Sequence, residues 1–297
     1  MLMMFARVLF PTDFSGYANA VFACLLELKE AGMREVVLVH VIRTSDVPLP
    51  ETLNRKSMEY VRWSAQEQLN IAKMALEAEG LRVSVRVEYG SPPALVVRVA
   101  EEEQVDLIVI GAQGATVAQE LLVGSVSYEV VRRATVPVLI HKFDVVRELG
   151  HVQCNRVCEQ MFTRVLHPTD FTECADAAFQ VMKRLRTAGT QEVVVLHVQD
   201  ERAMKHRPAQ HLEEFDREDT ERLEEMCRAL LLYGLQARPL LRRGVPSEEA
   251  LKVAREMNAS LIVLGSRGST VIQDLIAGST FENVVRLSRQ PVLVVRG

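Results

Sequence analysis

The sequence predicts an α/β protein with two repeated, doubly wound domains. Each domain is expected to hold a five-stranded parallel sheet of strand order 3-2-1-4-5, with helices on both faces. Three observations lead to this prediction. Residues 6–13 (ARVLFPTD) recur as residues 163–170 (TRVLHPTD) in the 297-residue chain. Strand-length apolar runs alternate with amphipathic, helix-length segments in both halves. The apolar runs, such as residues 36–42, are nearly unbroken, as is typical of strands buried on both faces.

The repeat has a nearly constant offset along the chain. It is 157 residues from Asp13 to Asp170 and 154 residues from Gly111 to Gly265. Three residues are therefore missing from the second half, between its second strand and the end of the next helix. A period this long indicates a duplicated domain. The predicted parts are a first domain at residues 1–141, a linker at residues 142–161 and a second domain at residues 162–297.

The elements follow one another in the same order in each half. The predicted strands of the first half are Arg7 to Phe10, Val36 to Ile42, Leu81 to Tyr89, Leu107 to Ile110 and Val136 to His141. Those of the second half are Val165 to His167, Glu192 to Val198, Leu235 to Arg242, Leu261 to Leu264 and Pro291 to Val295. The first helix should run from Ser15 to near Gly32, since glycine suits a helix C-terminus. Pro92 opens the third helix, and the fourth should run from about Val117 to Ala134.

Composition excludes several classes of protein. The formal net charge of -4 argues against holding nucleic acid by broad electrostatics. No apolar run approaches the roughly 20 residues of a membrane span, and we expect no signal peptide. The five cysteines are an odd number without zinc-type spacing, so we expect reduced thiols and a cytoplasmic location.

The most specific motif follows the fourth strand of each half. It reads G, two residues, G, nine residues, G and then Ser, and its members are Gly111, Gly114, Gly124 and Ser125, then Gly265, Gly268, Gly278 and Ser279. Glycines after a buried strand indicate a close approach of the backbone, and the helix start beyond them can offer N–H groups to phosphate. The motif lacks the lysine of a P-loop. It also follows the fourth strand, whereas a dinucleotide fingerprint follows the first.

Three features of each half should meet at the carboxyl ends of the strands, where such sheets bind ligands. Asp13 and Asp170 follow the first strand, Val41 and Val198 end the second, and the glycine motif follows the fourth. A carboxylate for ribose or base, main-chain groups for a base edge and glycine N–H groups for phosphates together suggest a nucleotide.

These motifs resemble the universal stress protein family in its ATP-binding branch. The likeness rests on both glycine motifs and on the opening Val-Leu-Phe/His-Pro-Thr-Asp-Phe of each half. It also rests on the last strand of each half, which begins Val-Pro-Val at residue 136 and Gln-Pro-Val at residue 290. The resemblance implies the following nucleotide-binding residues: Pro11, Thr12, Asp13, Val41, Gly111, Gly114, Gly124, Ser125 and Val126, and then Pro168, Thr169, Asp170, Val198, Gly265, Arg267, Gly268, Gly278, Ser279 and Thr280.

The resemblance also implies a role for each group. The aspartates would contact ribose or adenine, the valine main chains the adenine edge, and the glycines and serines the phosphates of ATP or ADP. Mg²⁺ or Mn²⁺ could bridge phosphate oxygens. Family members pair through their fifth strands, so the tandem could form an internal pseudo-dimer, with a further homodimer left open. The resemblance implies neither a membrane nor a nucleic-acid partner, and it leaves the protein partner unknown.

Structural alternatives stand beside several of these interpretations. The glycines could only let the fourth helix pack on the sheet, and Ser125 and Ser279 could be plain N-caps. Asp13 and Asp170 could cap the next helix, although Ser15 and Thr172 offer other caps. His40 and His197 interrupt apolar strands and fit core histidines better than catalysts. Arg267 replaces Gln113 between the paired glycines, which predicts tighter binding in the second half.

The leading functional hypothesis is a nucleotide-dependent regulatory or stress-response protein. No catalytic set is evident from the residues. A slow ATPase or nucleotidyl transferase that uses the same site is the rival from the enzyme class. A structural interaction module with empty sites is a third possibility, which the intact glycine pattern in both halves disfavours.

Overall fold

A computed structural model describes residues 5–43, 54–112, 123–148, 151–156, 160–204, 212–266 and 280–297. The chain divides into two compact units, which we call the first unit (Met1–Asn155) and the second unit (Arg156–Gly297). Each unit alternates strands and helices, as the sequence predicts. Within the described ranges, no helix combines the length and the apolar character needed to cross a membrane.

The first unit begins with a strand and ends with a small pair of strands. Its elements are β1 (Arg7–Pro11), α1 (Gly16–Cys24), β2 (Glu35–Ile42), α2 (Asn54–Ala78), β3 (Arg82–Tyr89), α3 (Pro92–Glu102), β4 (Leu107–Gly111), α4 (Ser125–Arg133), β5 (Val138–His141), β6 (Phe143–Glu148) and β7 (His151–Arg156). The order in its main sheet is β3-β2-β1-β4-β5, and each neighbouring pair is parallel. This confirms the predicted order 3-2-1-4-5.

The second unit repeats the same plan. Its elements are β8 (Arg164–Thr169), α5 (Glu173–Met182), β9 (Glu192–Asp200), α6 (Glu201–Met204), α7 (Leu212–Leu232), β10 (Gln236–Gly244), α8 (Pro246–Glu256), β11 (Leu261–Ser266), α9 (Thr280–Leu287) and β12 (Val292–Arg296). The strands run β10-β9-β8-β11-β12 and are parallel. Each sheet therefore has its first strand in the centre.

The core of each unit lies along its central strands. Leu9 in β1 pairs with Val37 in β2 and Ile108 in β4, and all three side chains are buried. The second unit has the equivalent set Leu166, Val194 and Ile262. Helix α2 packs on β2 and β3, whereas α3 packs with α4. Burial on both faces explains why these strands lack the polar alternation of a half-exposed sheet.

Two helices differ in extent from the predictions. The α-helical part of the first helix ends at Cys24 and continues as a 3₁₀ helix over Leu25–Lys29, short of Gly32. Helix α4 ends at Arg133 and begins at Ser125, eight residues after the predicted start at Val117, which lies outside the described residues. Glycine at position 124 interrupts the helical pattern that extended the prediction upstream.

The predicted linker at residues 142–161 holds regular structure. Strands β6 and β7 pair with each other in a separate two-stranded sheet. The boundary between the two units, after Asn155, falls within the same stretch. Two six-residue runs separated by two residues that include Gly150 are a hairpin signal that the sequence prediction overlooked.

Candidate functional site

The candidate site of the first unit begins where β1 and β4 end. These strands are neighbours, with Leu9 opposite Ile108. The chain leaves β1 toward β2 on one side and leaves β4 toward β5 on the other. Strand order therefore reverses between β1 and β4, which is where open parallel sheets form a crevice. Continuing the register places Thr12 and Gly111 at the same level of this crevice.

A tight turn joins β1 to α1. Phe14 has a left-handed backbone (φ 59°), and its N–H donates to Thr12 Oγ1 at 3.0 Å. The N–H of Ser15 donates to Asp13 Oδ1 at 3.0 Å. Ser15 is the N-cap, and its hydroxyl accepts from Ala18 N–H at 3.2 Å. Asp13 therefore shapes the turn while Ser15 caps the helix, so the alternative of Asp13 as the cap is wrong.

The second unit builds the same turn. Phe171 has φ 60°, and its N–H donates to Thr169 Oγ1 at 3.0 Å. Asp170 Oδ1 accepts from Thr172 N–H at 3.1 Å and from its hydroxyl at 2.6 Å. Thr172 caps α5 through Ala175 N–H. Both aspartates are exposed and follow the carboxyl end of the first strand of their unit.

The two strand histidines hold these turns in place. His40 Nδ1 lies 2.8 Å from Thr12 O, and the ring stacks on Phe14 with 4.4 Å between centroids. His197 repeats this with Thr169 O at 2.8 Å and Phe171 at 4.5 Å. A carbonyl can only accept, so Nδ1 carries a proton in both rings. Their predicted structural role fits these contacts.

Main-chain alternation orients Val41 toward the crevice. The N–H of Thr12 donates to Val39 O at 2.9 Å, and the N–H of Gly90 donates to Ile42 O at 3.0 Å. Successive residues of a strand direct their main-chain groups to opposite neighbours. The main-chain N–H and C=O groups of Val41 therefore face the side of β1. They lie beyond the end of β1, where the chain turns toward α1. Val198 lies at the equivalent place, one residue after the last pairing of β9 with β8.

The start of α4 lies against the end of β4. The N–H of Gly124 donates to Ala112 O at 2.6 Å, and Ser127 Oγ donates to Gly111 O at 2.7 Å. Gly124 is the N-cap and gives the helix no side-chain cap. Ser125 is the exposed first residue of the helix, so the alternative of Ser125 as the N-cap is wrong. Val126 follows it, and the N-cap glycine offers no side chain to the first N–H groups of α4.

Part of each glycine motif lies outside the described residues. The predicted site residues in this group are Gly114, Arg267, Gly268, Gly278 and Ser279. Of the remaining predicted residues, Pro11 is the last residue of β1, and Pro168 is the last but one of β8. Thr280 is the first residue of α9, the counterpart of the position after Ser125 in α4.

Gly265 has a packing reason to be glycine. A Cβ added there would lie 2.1 Å from Cys174 O and 2.8 Å from Ala175 N. Both are backbone atoms in the first turn of α5, so they cannot rotate away. At Gly265, glycine is therefore required for a helix to pack on the sheet, as in the structural alternative for the glycines. The helix is α5, the first of the second unit, and not the fourth helix as that alternative assumed. Gly265 by itself does not argue for phosphate.

The second unit carries a polar network beside its histidine. We define the second-unit network as His197, Gln199, Asp216, Asp219 and Arg243. Gln199 Nε2 donates to Asp219 Oδ2 at 2.9 Å and Arg243 Nε donates to Gln199 Oε1 at 3.1 Å. His197 Nε2 lies 3.6 Å from Asp219 Oδ2. The Arg243 guanidinium bonds Asp216 and lowers the pKa of that carboxyl.

The first unit has no such network at the matching positions. With the offsets of 157 and 154, Ile42 replaces Gln199, Ala65 replaces Asp219 and Tyr89 replaces Arg243. Ile42 and Ala65 are buried. The second unit also places Arg222 over the Phe171 ring, 4.0 Å from its centroid. The two candidate sites thus share their turns and differ in the side chains around the strand histidine and the end of the second strand. This difference could be found by aligning the two halves.

The described residues give no protein-only metal centre. Across the ranges that the structure covers, no group of three or more His, Cys, Asp or Glu side chains could hold a metal ion. Among the described candidates, the crevice offers one exposed carboxylate, main-chain groups and a helix start. This set suits a ligand with hydroxyls, a planar polar edge and an anionic group.

Comparison with known proteins extends the sequence resemblance. Universal stress protein MJ0577 of Methanocaldococcus jannaschii is 33% identical over 155 residues, which cover 46% of this chain and 96% of that protein. Universal stress protein Rv2005c of Mycobacterium tuberculosis is 26% identical over 281 residues and covers 90% of both chains. The second match extends through both units.

A solved structure matches the chain along its length. The crystal structure of a universal stress protein from Archaeoglobus fulgidus has a TM-score of 0.77 and 27% identity, and the match covers 98% of both chains. The model of the universal stress protein family matches residues 4–142 and again residues 161–296. The two matches include all the turns and helix starts described above. The chain therefore belongs to the universal stress protein family and carries two of its domains in tandem.

Proposed function

We propose that this protein binds an adenine nucleotide, ATP or ADP, in each unit and acts as a nucleotide-dependent regulator in a stress response. One observation carries the proposal. An exposed aspartate, an inward-facing valine main chain and the end of the fourth strand converge on one crevice in each unit. In the first unit, the start of α4 adjoins the same crevice. Nucleotides present the complementary groups in the same order.

The base end is supported by the geometry of β1 and β2. Asp13 is held in the turn through Oδ1, and its exposed carboxylate can accept hydrogen bonds from ribose hydroxyls. The main-chain groups of Val41 face the same crevice and can pair with a purine edge. Hydrogen bonds to a charged acceptor contribute about 1.5–3 kcal/mol each.

The phosphate end is supported by α4. Its N-cap residue, Gly124, offers no side chain to the first N–H groups, and helix starts attract anions through such groups and the helix dipole. The exposed Ser125 hydroxyl adds a donor at the same place. Any Mg²⁺ or Mn²⁺ would be held by phosphate oxygens and water, because the described residues offer no ligand cluster of their own.

The nucleotide itself can be identified directly. Protein purified without added nucleotide is denatured, and the released small molecules are analysed by mass spectrometry. Calorimetric titration with ATP, ADP and AMP then measures affinity and stoichiometry. We expect two adenine nucleotides per chain. Release of no nucleotide, together with no heat of binding, would contradict the proposal.

Aspartate variants separate the two sites. Asp13→Ala is expected to reduce the stoichiometry from two to one, and Asp170→Ala should do the same for the other site. Asp13→Asn is the matched control for folding, since its amide oxygen can still accept from Ser15 N–H. It keeps the turn but loses the charge, so we expect about tenfold weaker binding at that site. Unchanged affinity in both Asp13 variants would exclude the carboxylate.

The sequence difference at Arg267 leads to a second expectation about affinity. We propose that the second unit binds nucleotide more tightly, because arginine can pair with phosphate and Gln113 cannot. Arg267→Gln should weaken the tighter site toward the other. If the titration curve of this variant matched that of the wild type, Arg267 would have no part in binding.

A turnover measurement tests the enzyme alternative. Labelled ATP is incubated with the purified protein, and released phosphate and nucleotidyl products are separated. We expect at most slow hydrolysis. Sustained turnover that Gly268→Val abolishes would assign the protein to the ATPases or nucleotidyl transferases instead.

A further inference from the structure

One helix of the first unit exposes large apolar side chains. Tyr60, Trp63, Ile71 and Met74 in α2 are 67%, 59%, 69% and 69% exposed. The Tyr60 and Trp63 rings also contact each other, with 6.0 Å between centroids. We call these four residues, with the exposed Glu67 between them, the α2 stripe. Large apolar side chains that lie in one line on a surface are typical of interaction sites.

The α2 stripe lies on the outward face of the helix. Ala65, Leu69 and Leu76 form the buried face. At about 100° per residue, the stripe is centred on the opposite side. It follows that packing of α2 on its own sheet does not require apolar residues at these positions.

The second unit shows that the fold accepts charges at these positions. Helix α7 matches α2 at an offset of 154, since buried Leu223 and Leu230 correspond to Leu69 and Leu76. The residues of α7 that match the stripe are Glu214, Arg217, Glu221, Glu225 and Arg228, and all of them are exposed. The duplicated domain therefore supplies an internal reference in which this face is fully charged. Only the first unit carries the apolar version.

The spacing of the stripe is symmetric about its centre. Tyr60 and Met74 lie seven residues before and after Glu67, and Trp63 and Ile71 lie four before and after it. When two such helices pack antiparallel about a two-fold axis at Glu67, Tyr60 meets Met74 and Trp63 meets Ile71. An isologous interface requires this self-complementarity.

We propose that the α2 stripe is a self-association surface, on which the α2 helices of two copies of this chain pack antiparallel. The two-fold axis passes at Glu67. Tyr60 and Trp63 of one copy cover Met74 and Ile71 of the other. This surface is separate from the candidate nucleotide sites, so the inference does not depend on the proposed function.

The size of the stripe fits a weak, reversible dimer. Aromatic side chains carry about 150–250 Å² each. Two stripes would together bury roughly 1,000 Å², near the lower limit of specific interfaces at about 1,200 Å². A dimer that forms and dissociates with concentration is therefore expected.

The centre of the interface carries like charges. Glu67 of each copy lies at the axis, where two carboxylates repel each other. Removing this repulsion with Glu67→Gln should strengthen association about two- to fivefold, given the usual worth of an exposed charge pair. A partner of different chemistry would not place Glu67 against itself, so this response is specific to symmetric pairing.

Sedimentation velocity over a concentration series measures the association of the full-length chain. We expect a monomer–dimer equilibrium for the wild type. The variant Trp63→Glu with Ile71→Glu places like charges opposite each other across the proposed interface and should weaken association more than about tenfold. Leu232→Glu is the matched control, since Leu232 is 88% exposed but lies in α7, and it should leave the equilibrium unchanged. Circular dichroism checks that each variant is folded.

Cysteine cross-linking tests the register of the two helices. Glu67→Cys should form a covalent dimer under mild oxidation, because the two positions meet at the axis. Tyr60→Cys should not, because its two copies would lie about 21 Å apart along the helices, beyond the roughly 7 Å that a disulfide spans. Wild-type protein with its native cysteines reports the background.

Four results would overturn the proposal. The first is a wild-type monomer at every concentration. The second is a dimer that withstands Trp63→Glu with Ile71→Glu, which would locate the interface elsewhere. The third is stronger cross-linking of Tyr60→Cys than of Glu67→Cys. Weaker association of Glu67→Gln would likewise contradict a symmetric axis at this residue.

Discussion

His167 is a histidine enclosed in the core of the second unit. Its Nδ1 donates to Val263 O at 2.9 Å, and its Nε2 is buried with no hydrogen-bond partner among the described residues. Protonation would place an unpaired N–H in the core. Burial therefore lowers the pKa of His167 from 6.5 to about 4. Phe10 occupies the matching position in the first unit, where it contacts Phe22 much as His167 contacts Phe179.

Acid should destabilise the second unit through this residue. A base whose pKa is lowered by folding stabilises the folded state fully above its unfolded pKa of 6.5, and the contribution falls as the pH drops toward 4. Between pH 7.5 and pH 5 we expect a loss of about 2 kcal/mol. Denaturant unfolding at the two pH values measures it. His167→Phe, which copies Phe10, should remove most of this loss, and an equal loss in the variant would contradict the assignment.

Gly265 gives a second residue-scale prediction. Gly265→Ala places a methyl group against the backbone of Cys174, so β11 or α5 must move. Overpacking of this kind typically costs about 1–3 kcal/mol. Chemical denaturation should show that loss in the unfolding of the second unit. Equal stability of variant and wild type would mean that α5 can shift without cost.

The sequence predicted candidate site residues, but it did not predict the contacts that hold several of them in place. The sequence did indicate that Asp13 and Asp170 need not be the helix N-caps, because Ser15 and Thr172, two residues later, can also act as N-caps. The clash behind Gly265 involves Cys174, about ninety residues away, and no local pattern carries such a contact. The left-handed Phe14 and Phe171 were also missed, because phenylalanine does not signal that conformation.

At the scale of elements, α7 differs from α2 on both of its faces. Toward the sheet, Asp219 accepts a hydrogen bond from Gln199, whereas the matching residues of the first unit are the buried Ala65 and Ile42. Toward solvent, α7 is charged where α2 is apolar. The buried leucines of the two helices correspond. The same backbone arrangement therefore accepts either the apolar outer face of α2 or the charged outer face of α7.

The hydrogen-bonded pair of Gln199 and Asp219 in the second unit should show strong coupling. Gln199→Ile alone leaves the Asp219 carboxylate without its amide donor, which should destabilise the unit by about 1–3 kcal/mol. Adding Asp219→Ala restores the pair found in the first unit and should recover part of that loss. A double-mutant cycle from urea unfolding measures the coupling. Simple additivity of the two changes would contradict a direct interaction.

Element order was predictable from periodicity, whereas some boundaries were not. The central strands are apolar on both faces, and this made their positions evident. Helix α1 changes to a 3₁₀ helix after Cys24 within one apolar pattern, so periodicity could not reveal the change. Strands β6 and β7 were read as linker because they have no copy in the other half.

At the scale of the whole molecule, the two units should differ in acid stability. Only the second unit encloses a histidine at the position of Phe10 and His167, so its unfolding temperature should fall faster as the pH drops below 6.5. Calorimetry at pH 5 should separate an earlier transition from a later one. In His167→Phe the transitions should approach each other. A single transition that shifts equally in both proteins would contradict this expectation.

The duplication has a further consequence for how this protein can change. In a dimer of single-domain chains, one gene encodes both copies, so each substitution appears twice. Here Glu214 and Tyr60, or Gln199 and Ile42, are encoded separately. Evolution can therefore change one half for a new task and leave the other half unchanged. This is not possible in a symmetric dimer, where both subunits come from the same gene.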